Sequence, residues 1–167
     1  EVDLAVIARD VTAEWVPSAL ARDIDLGLAE NPPQSYIRGN AVLLRELLVN
    51  LVDNAIRYTQ PGGRITVSVR HAEERIVLAV EDDGPGIPPA DRERVFERFQ
   101  RLNENRTEGC GLGLAIVREI AQSHAADVRI DDGAGGKGTR VSVSFVAPSA
   151  AASAEPARLE AIASSSP

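Results

Sequence analysis

Two asparagines, Asn50 and Asn54, are four residues apart in the apolar run from Leu47 to Thr59. If the run is helical, both amides project from one face, with Glu46 one turn before them. Burying an unpaired amide costs about 1–3 kcal/mol, so two adjacent amides on an apolar face need polar partners. That partner could be a metal ion or a phosphate, or the amides could simply bond the neighbouring backbone. The spacing alone favours neither interpretation.

Three further stretches carry residue types that suit ligand binding. DDGPG at 82–86 puts a carboxylate before two glycines, FERF at 96–99 contains two aromatic rings, and GCGLG at 109–113 alternates glycine with other residues. Glycines at the start of a helix expose backbone N–H groups, which form an anion site. Each stretch alone also has an ordinary explanation, since the first could be a turn and the last a hinge.

Apolar residues at helical spacing predict the helices that would position these stretches. The first begins after Asp3 as its N-cap and ends at Pro17. The second spans 41–58 after Asn40 and carries both asparagines. A short helix is predicted at 90–99, and a longer one opens at the glycines of GCGLG.

Alternating or β-rich runs predict the strands. They lie at 23–29, 64–70, 75–81, 128–132 and 139–146. HAEE at 71–74 would form a hairpin turn containing His71, and the stretch at 101–109 would form a polar, mobile loop. These elements predict an α+β fold: a two-layer sandwich in which a mixed, mostly antiparallel sheet of about five strands carries about three helices on one face.

Length and composition indicate one domain, which we assign to residues 1–147 of the 167. Residues 148–167 are mostly Ala, Ser and Pro, and we expect them to form a disordered tail, with a weak helix around ARLEAIA as the alternative. The one cysteine, Cys110, excludes an internal disulfide. No apolar run reaches the ~20 residues of a membrane span and no signal-peptide pattern is present, so we expect this stretch to be soluble.

The charge of the chain limits its partners. The formal net charge is −7, and Lys137 is the only lysine beside seventeen arginines. Nucleic-acid binding needs a basic field, so we expect no nucleic-acid partner. A bound polyphosphate would have to be held by groups within its binding site, because the overall charge of the chain does not attract it.

In this order and spacing, NLVDN at 50–54, DDGPG, FERF and GCGLG resemble the N, G1, F and G2 boxes of the catalytic ATP-binding domain of sensor histidine kinases, within the gyrase, chaperone, kinase and mismatch-repair ATPase superfamily. The resemblance covers roughly Leu4 to Val146 and implies a Bergerat ATP-binding fold that binds ATP and Mg²⁺. A P-loop is excluded because Lys137 lies in GGKGT, with Gly138 where Ser or Thr is needed. GCGLGL does not follow a strand in a βαβ unit, which excludes a Rossmann fingerprint.

The resemblance implies a distinct role for each of three polar residues. Asp82 would accept a hydrogen bond from the exocyclic amine of adenine, and a carbonyl-bearing base would be rejected there. Asn54 would be the Mg²⁺ ligand, since an amide oxygen suits this hard cation. Hydrolysing members of the superfamily have a glutamate where this chain has Asn50, and an amide cannot take a proton from water at neutral pH. Phosphoryl transfer to a histidine is therefore favoured over ATP hydrolysis.

The remaining site residues are also assigned by resemblance. Catalysis would involve Asn50, Asn54 and Arg101, and nucleotide contacts would come from Asn50, Asn54, Arg57, Tyr58, Asp82, Gly84, Gly86, Ile87, Arg101, Gly109, Cys110, Gly111, Leu112, Gly113 and Thr139. Phe96 and Phe99 would anchor a lid from which Arg101 reaches the γ-phosphate. Cys110 stands where the family usually has threonine, which removes a hydroxyl but leaves the backbone donor.

The resemblance also implies partners outside this chain. Neither His71 nor His124 lies in a phosphoacceptor-like sequence, so both are expected to be structural, and the acceptor histidine would lie on a dimerisation domain absent here. We expect a monomeric fragment of a homodimeric membrane sensor, cytoplasmic in location, that signals to a response regulator. The alternatives are a conformational ATPase and an anti-sigma-type serine kinase or binding module.

Overall fold

The computed structural model describes residues 1–29, 31–97 and 112–148. Its strands are β1 (Val2–Asp3), β2 (Asp25–Ala29), β3 (Tyr36–Ile37), β4 (Arg64–Ala72), β5 (Arg75–Asp82), β6 (Asp127–Asp132) and β7 (Thr139–Val146). Its α-helices are α1 (Leu4–Leu20), α2 (Ala41–Tyr58) and α3 (Gly113–Ser123). Short 3-10 turns lie at Pro89–Asp91, Arg94–Phe96 and Ala134–Gly136.

The main sheet has five strands in the order β2-β4-β5-β7-β6. β2 pairs with β4 in parallel, and the other neighbours are antiparallel. Apolar side chains on one face of the sheet, such as Ile65, Val67 and Val143, are fully buried beneath the helices. The predicted two-layer α+β fold is therefore confirmed, and a separate two-stranded pairing of β1 with β3 adds to it.

Helix α2 has the predicted bounds because its sequence signals are strong at both ends. The Asn40 side chain caps the first turn by accepting from the N–H groups of Val42 and Leu43. The apolar stripe between is buried without gaps over the length of the helix, at Leu44, Leu47, Leu48, Leu51, Val52, Ala55 and Ile56. Thr59 is extended and ends the helix.

Helix α1 starts as predicted, with Asp3 Oδ1 accepting from Ala5 N at 3.0 Å, but the prediction that Pro17 ends it is wrong. The helix continues to Leu20. A proline removes one helical hydrogen bond, and here the residue that loses its donor, Ala13, is exposed, so water can bind its carbonyl. Burial of Ala19 in the core keeps the last turn helical.

Two other local predictions are wrong. The helix predicted at 90–99 is instead a pair of 3-10 turns up to Phe96, because only Val95 and Phe96 there are buried and one turn suffices for them. His71 lies in strand β4, paired with Ile76, and not in the turn. The hairpin is tighter than predicted because Glu73 adopts a left-handed φ of 53°. Residues 98 and 99 of the predicted helix lie outside the described residues.

His71 takes part in the contact that ties the start of the chain to the sheet. Ser35 is fully buried, its N–H donates to Asp3 Oδ1 at 3.1 Å, and its hydroxyl donates to Pro32 O at 2.9 Å. The Ser35 oxygen is then left to accept from His71 Nε2 at 3.1 Å. These bonds agree with the expected structural role of His71.

His124 joins the end of α3 to the start of α2. Its Nε2 accepts from Asn40 N at 3.0 Å, which leaves Nδ1 as the protonated nitrogen, 2.8 Å from Ile120 O. The ring also packs edge-on against Phe145, at 6.5 Å between centroids. His124 is therefore a structural residue, as predicted, and its ring accepts a backbone N–H from the start of α2.

His124→Ala should lower the free energy of unfolding by about 1–3 kcal/mol, because it removes two hydrogen bonds and the packing on Phe145. Urea unfolding of the purified chain measures the change. Gln122→Ala, at an exposed site on the same helix, is the control and should change stability by less than about 0.5 kcal/mol. Equal stabilities of the two variants would contradict a joining role for His124.

Candidate functional site

The two asparagines on α2 have different surroundings, although both are half-buried. Asn50 Nδ2 donates to Glu46 O at 2.9 Å, so part of its amide bonds the neighbouring backbone. The Asn54 side chain has no hydrogen-bond partner within the described residues. Asn54 therefore presents an amide whose polar atoms are available to a ligand, and Asn50 keeps its oxygen available.

Asp82 is the last residue of β5 and is buried, with 9% of its surface exposed. It lies across from Ile65 on β4 and Thr139 on β7, so its side chain is on the helix-covered face. Gly84 N donates to Asp82 Oδ1 at 2.9 Å. Burial raises the pKa of this carboxyl from 3.8 to about 6, backbone donors from Gly84 and Thr139 oppose the rise, and the charges of Asp83 and Glu81 add to it.

Two glycines bring the backbone unusually close to Asp82. A Cβ at Gly138 would be 1.8 Å from Asp82 O, and the residue has a φ of +72°, so only glycine fits. A Cβ at Gly84 would be 2.9 Å from Tyr58 O. The end of β5 is thus packed against both the β6–β7 turn and the last turn of α2. Gly86 in turn lies against Gly138, whose oxygen would be 3.1 Å from an added Cβ.

The start of α3 lies beside Asn50. A Cβ at Gly113 would be 3.4 Å from Asn50 Oδ1, so the first turn of α3 lies beside the site face of α2. Asp3 and Asn40 cap α1 and α2, whereas no side chain within the described residues caps α3 after Leu112. Among the described residues, no side chain therefore occupies the N–H groups of this first turn, which are the donors that an anion site uses.

Arg57 and Tyr58 lie on the last turn of α2, between the asparagines and Gly84. Arg57 Nε donates to Asp53 Oδ2 at 2.8 Å, an i,i+4 pair that holds the guanidinium along the helix. Tyr58 is half-buried, and its carbonyl lies at Gly84. Their predicted phosphate and nucleotide contacts stay predictions.

The structure thus brings together most of the described site residues predicted from the sequence. They are Asn50, Asn54, Arg57, Tyr58, Asp82, Gly84, Gly86, Leu112, Gly113 and Thr139. Ile87 lies at the far end of the loop that starts at Gly84 and is partly buried against the core. Four predicted residues, Arg101, Gly109, Cys110 and Gly111, lie outside the described residues, as does Phe99.

Arg92 was missed by sequence reasoning. Its Nε donates to Ile87 O at 3.1 Å, and its guanidinium also contacts Ile130 O and Asp132 on β6. Nothing in PPADRERVF distinguishes Arg92, because its partners are up to forty residues away and its charged neighbours in sequence are two acids and a second arginine. Phe96, by contrast, is buried as predicted, with Arg118 5.3 Å from its ring centre.

An open groove of about 320 Å³ lies beside the same strand ends, on the opposite face of the sheet. Thr66 and Glu81 line it, and these residues alternate with the inward-facing Ile65 and Asp82. Its walls also include Asp83, whose Oδ1 accepts from Arg64 N at 2.9 Å. Its lining also includes Asp82 and two cations, Arg64 and Lys137, against four carboxylates in all. The excess of negative charge disfavours an anion, so we place the candidate site on the helix-covered face.

The arrangement on that face offers two kinds of recognition. Buried Asp82 can accept hydrogen bonds at one end, and the amide of Asn54 with the first turn of α3 can bind an anion or a cation–anion pair at the other. Within the described residues no group of three or more His, Cys, Asp or Glu is positioned to hold a metal ion alone. A metal bound here would need ligand oxygens in addition to Asn54.

Residues 39–149 match the family described as histidine kinase-, DNA gyrase B- and HSP90-like ATPase. The chain is 37% identical over 143 residues to the sensor protein kinase PmrB of Pseudomonas aeruginosa, and 44% identical over 116 residues to the histidine-protein kinase/phosphatase MprB of Mycolicibacterium vanbaalenii. These alignments cover 85% and 66% of this chain but only 30% and 23% of those proteins.

Solved structures give the same result. A mycobacterial sensor histidine kinase MprB superposes with a TM-score of 0.74 at 31% identity, over 87% of this chain and 95% of that one. The ATP-binding domain of PrrB from Mycobacterium tuberculosis superposes with a TM-score of 0.71 at 26% identity, over 89% and 96% of the two chains. Across the described residues, no helix is both long and apolar enough for a membrane span.

Asp82→Asn tests the buried carboxylate through the pH dependence of stability. Because the pKa is raised in the folded protein, the contribution of Asp82 to folding is fully present below pH ~4 and is lost as the pH rises to about 6. Between these two pH values, the free energy of unfolding of wild type should fall by on the order of 2–3 kcal/mol relative to that of the variant. Above about pH 6 the difference in unfolding free energy between the two proteins should be constant.

Urea unfolding of wild type and D82N between pH 4 and pH 8 measures this difference. Asp131→Asn, at an exposed carboxylate on β6, is the matched control and should show no such change. A wild-type to D82N difference that does not vary with pH would show that Asp82 titrates normally.

Proposed function

The chain belongs to the family of histidine kinase-, DNA gyrase B- and HSP90-like ATPases, and on this basis we propose that it is the catalytic ATP-binding domain of a sensor histidine kinase. In this proposal it transfers the γ-phosphoryl group of ATP to a histidine on a separate dimerisation and phosphoacceptor domain. The observation that carries the choice within the family is Asn50, an amide where a water-activating member needs a base. Part of that amide is also engaged with the Glu46 carbonyl.

Asp82 is the proposed recognition group for adenine. It accepts one hydrogen bond from Gly84 N, and a carboxylate has further lone pairs for the exocyclic amine of the base. A base with a carbonyl oxygen at this position would place an acceptor against an acceptor. Because Asp82 is buried, the unpaired group could not be compensated by water, which gives the site its selectivity.

Asn54 and the start of α3 are the proposed triphosphate end. The amide of Asn54, which has no hydrogen-bond partner among the described residues, fits one oxygen ligand of Mg²⁺. This ion usually keeps several waters and completes its shell with phosphate oxygens. When bound, Mg²⁺ would neutralise phosphate charge. The first turn of α3 beside Asn50 supplies backbone donors to the same end. Arg57 would add a cation after leaving or sharing its bond to Asp53.

The proposed reaction is an in-line displacement at the γ-phosphorus. A neutral imidazole nitrogen of the acceptor histidine forms the new N–P bond, the bond to the β,γ-bridging oxygen breaks, and ADP leaves with that electron pair. Imidazole has a pKa near 6.5 and is already nucleophilic at neutral pH, so no base is needed to activate it. Water would need a base, and Asn50 cannot supply one. The chain contributes by positioning the triphosphate.

The relatives suggest the setting of this domain. The chain spans less than a third of PmrB and MprB, so partners and location of the whole protein belong to the proposal. We place the acceptor histidine in a homodimeric kinase that passes the phosphoryl group to a response regulator. A membrane-anchored sensor with this domain on the cytoplasmic side is the corresponding location.

Asn54→Ala should remove the dependence of ATP affinity on Mg²⁺. Calorimetric titration with ATP in Mg²⁺ and in EDTA should show tighter binding with the metal in wild type, and at least a tenfold loss in the variant with the metal only, because a metal ligand is missing. Gln60→Ala, which truncates an exposed amide just after α2, should behave as wild type. Equal wild-type affinity in Mg²⁺ and EDTA would remove Asn54 from this role.

Phosphotransfer itself is tested by mixing the chain with its dimerisation domain, Mg²⁺ and labelled ATP. The expected product is a phosphoprotein that is labile in acid and stable in base, because the phosphoryl group is bound to nitrogen. An acid-stable phosphoprotein would instead indicate a serine kinase. Release of inorganic phosphate without any phosphoprotein would indicate a conformational ATPase.

A further inference from the structure

We propose that Arg92 is a positioning residue that sets base selectivity, by holding the loop at residues 83–88 against strand β6. We refer to this segment as the base loop, because it begins beside Asp82 and includes Gly84 and Ile87. The inference rests on the proposed function, in which this loop receives the adenine ring. Arg92 itself lies beyond the loop, so it would act on a bound base indirectly, by positioning the loop.

Arg92 links the base loop to β6 through three hydrogen bonds. Nε donates to Ile87 O at 3.1 Å, Nη1 to Ile130 O at 3.5 Å, and Nη2 pairs with Asp132 Oδ1. The side chain is only 20% exposed. A guanidinium presents its donors in a fixed planar fork, so a link to three acceptors on two elements constrains their relative position.

The base loop has few other polar ties to the fold. At its start, Asp83 N donates to Arg64 O at 3.2 Å and Gly84 N to the Asp82 side chain. From Pro85 to Ile87, no backbone N–H or C=O bonds the backbone of another element in the described structure. The far end of the loop is therefore held by the Arg92 bond to Ile87 O together with the apolar packing of the Ile87 side chain against the core.

A displacement at the Ile87 end of the base loop would be passed to the Gly84 end, because only two residues separate them. Gly86 lies close to Gly138, whose oxygen would be 3.1 Å from an added Cβ. The loop is therefore closely approached on that side, and a displacement of the loop would take it away from Gly138 and outward from the sheet. An outward shift would withdraw Ile87 from its apolar packing and pull Gly84 from Asp82. Both changes occur at the base end of the site and leave Asn54 and the start of α3 in place.

This geometry predicts that replacing Arg92 lowers nucleotide affinity by an amount that depends on the base and not on the phosphates. ATP carries an amino group where ITP carries a carbonyl oxygen, and the two share the triphosphate. If Arg92 acts through the base loop, its loss reduces affinity for ATP but changes affinity for ITP little. General loosening of the fold, or loss of one positive charge, would reduce both alike.

The test measures ATP and ITP affinities of the full 167-residue chain by calorimetry, in Mg²⁺, together with thermal melting. Arg92→Gln should weaken ATP binding about tenfold and lower the ATP-to-ITP affinity ratio by a similar factor. Arg94→Gln removes the same charge two residues away, from a side chain that is 61% exposed, and should keep both affinities within twofold. Arg92→Lys retains the charge but not the fork, and should lower the ratio by an intermediate factor.

Each outcome decides between the inference and its alternatives. An unchanged ratio in R92Q, or an equal loss for both nucleotides, overturns the role of Arg92 while the proposed function stands. If R92Q does not fold, the ATP-to-ITP affinity ratio of R92K serves instead, and an unchanged ratio in R92K likewise overturns the role of Arg92. A wild-type chain that binds neither nucleotide, or binds both equally, overturns the proposed function and with it this inference.

Discussion

The constraint around which the candidate site is built is the burial of one carboxylate, Asp82, at the end of a central strand. Asp82 is flanked by β4 and β7, and Gly138 packs closely on its backbone carbonyl. The residue is buried, so little water reaches its carboxylate. A buried carboxylate is costly unless it is hydrogen-bonded, and Gly84 N supplies that bond. The glycines Gly84 and Gly138, the turn before β7 and the end of α2 enclose the end of β5 that carries this group.

Regular elements with complete local signals could be predicted from the sequence. α2 has a cap, an unbroken apolar stripe and an extended residue after it, and β7 alternates over its whole length. The errors occurred where tertiary context decides. Pro17 remains helical because the residue it deprives of a bond is exposed, and His71 extends β4 because Glu73 allows a tighter hairpin. β1 and β3 have two residues each, too few for a pattern.

The residues of the candidate site likewise include some that the sequence predicts and some that it does not. Asn50, Asn54 and Asp82, with Gly84, Gly86 and Gly113, were predicted as site residues from their order and spacing. The structure places them along α2, at the end of β5 and at the start of α3, and their roles stay predictions. The different surroundings of the two asparagines were not predicted, since the Asn50 bond to Glu46 O depends on a rotamer. Arg92 could not be found at all, because its meaning comes from partners in β6. Residues that act through contacts distant in sequence leave no local signature.

The parallel pairing of β2 with β4 has a consequence for how the chain assembles. Asp25 lies opposite Arg64, and the chain between them includes all of α2. The edge of the sheet can close only after that long crossover has been brought back, whereas β4 and β5 meet through a two-residue hairpin. The hairpin can therefore form early and serve as the template, and docking of the crossover helix becomes the slow, entropy-limited step. The asparagines would acquire their surroundings late in folding, with closure of the sheet edge.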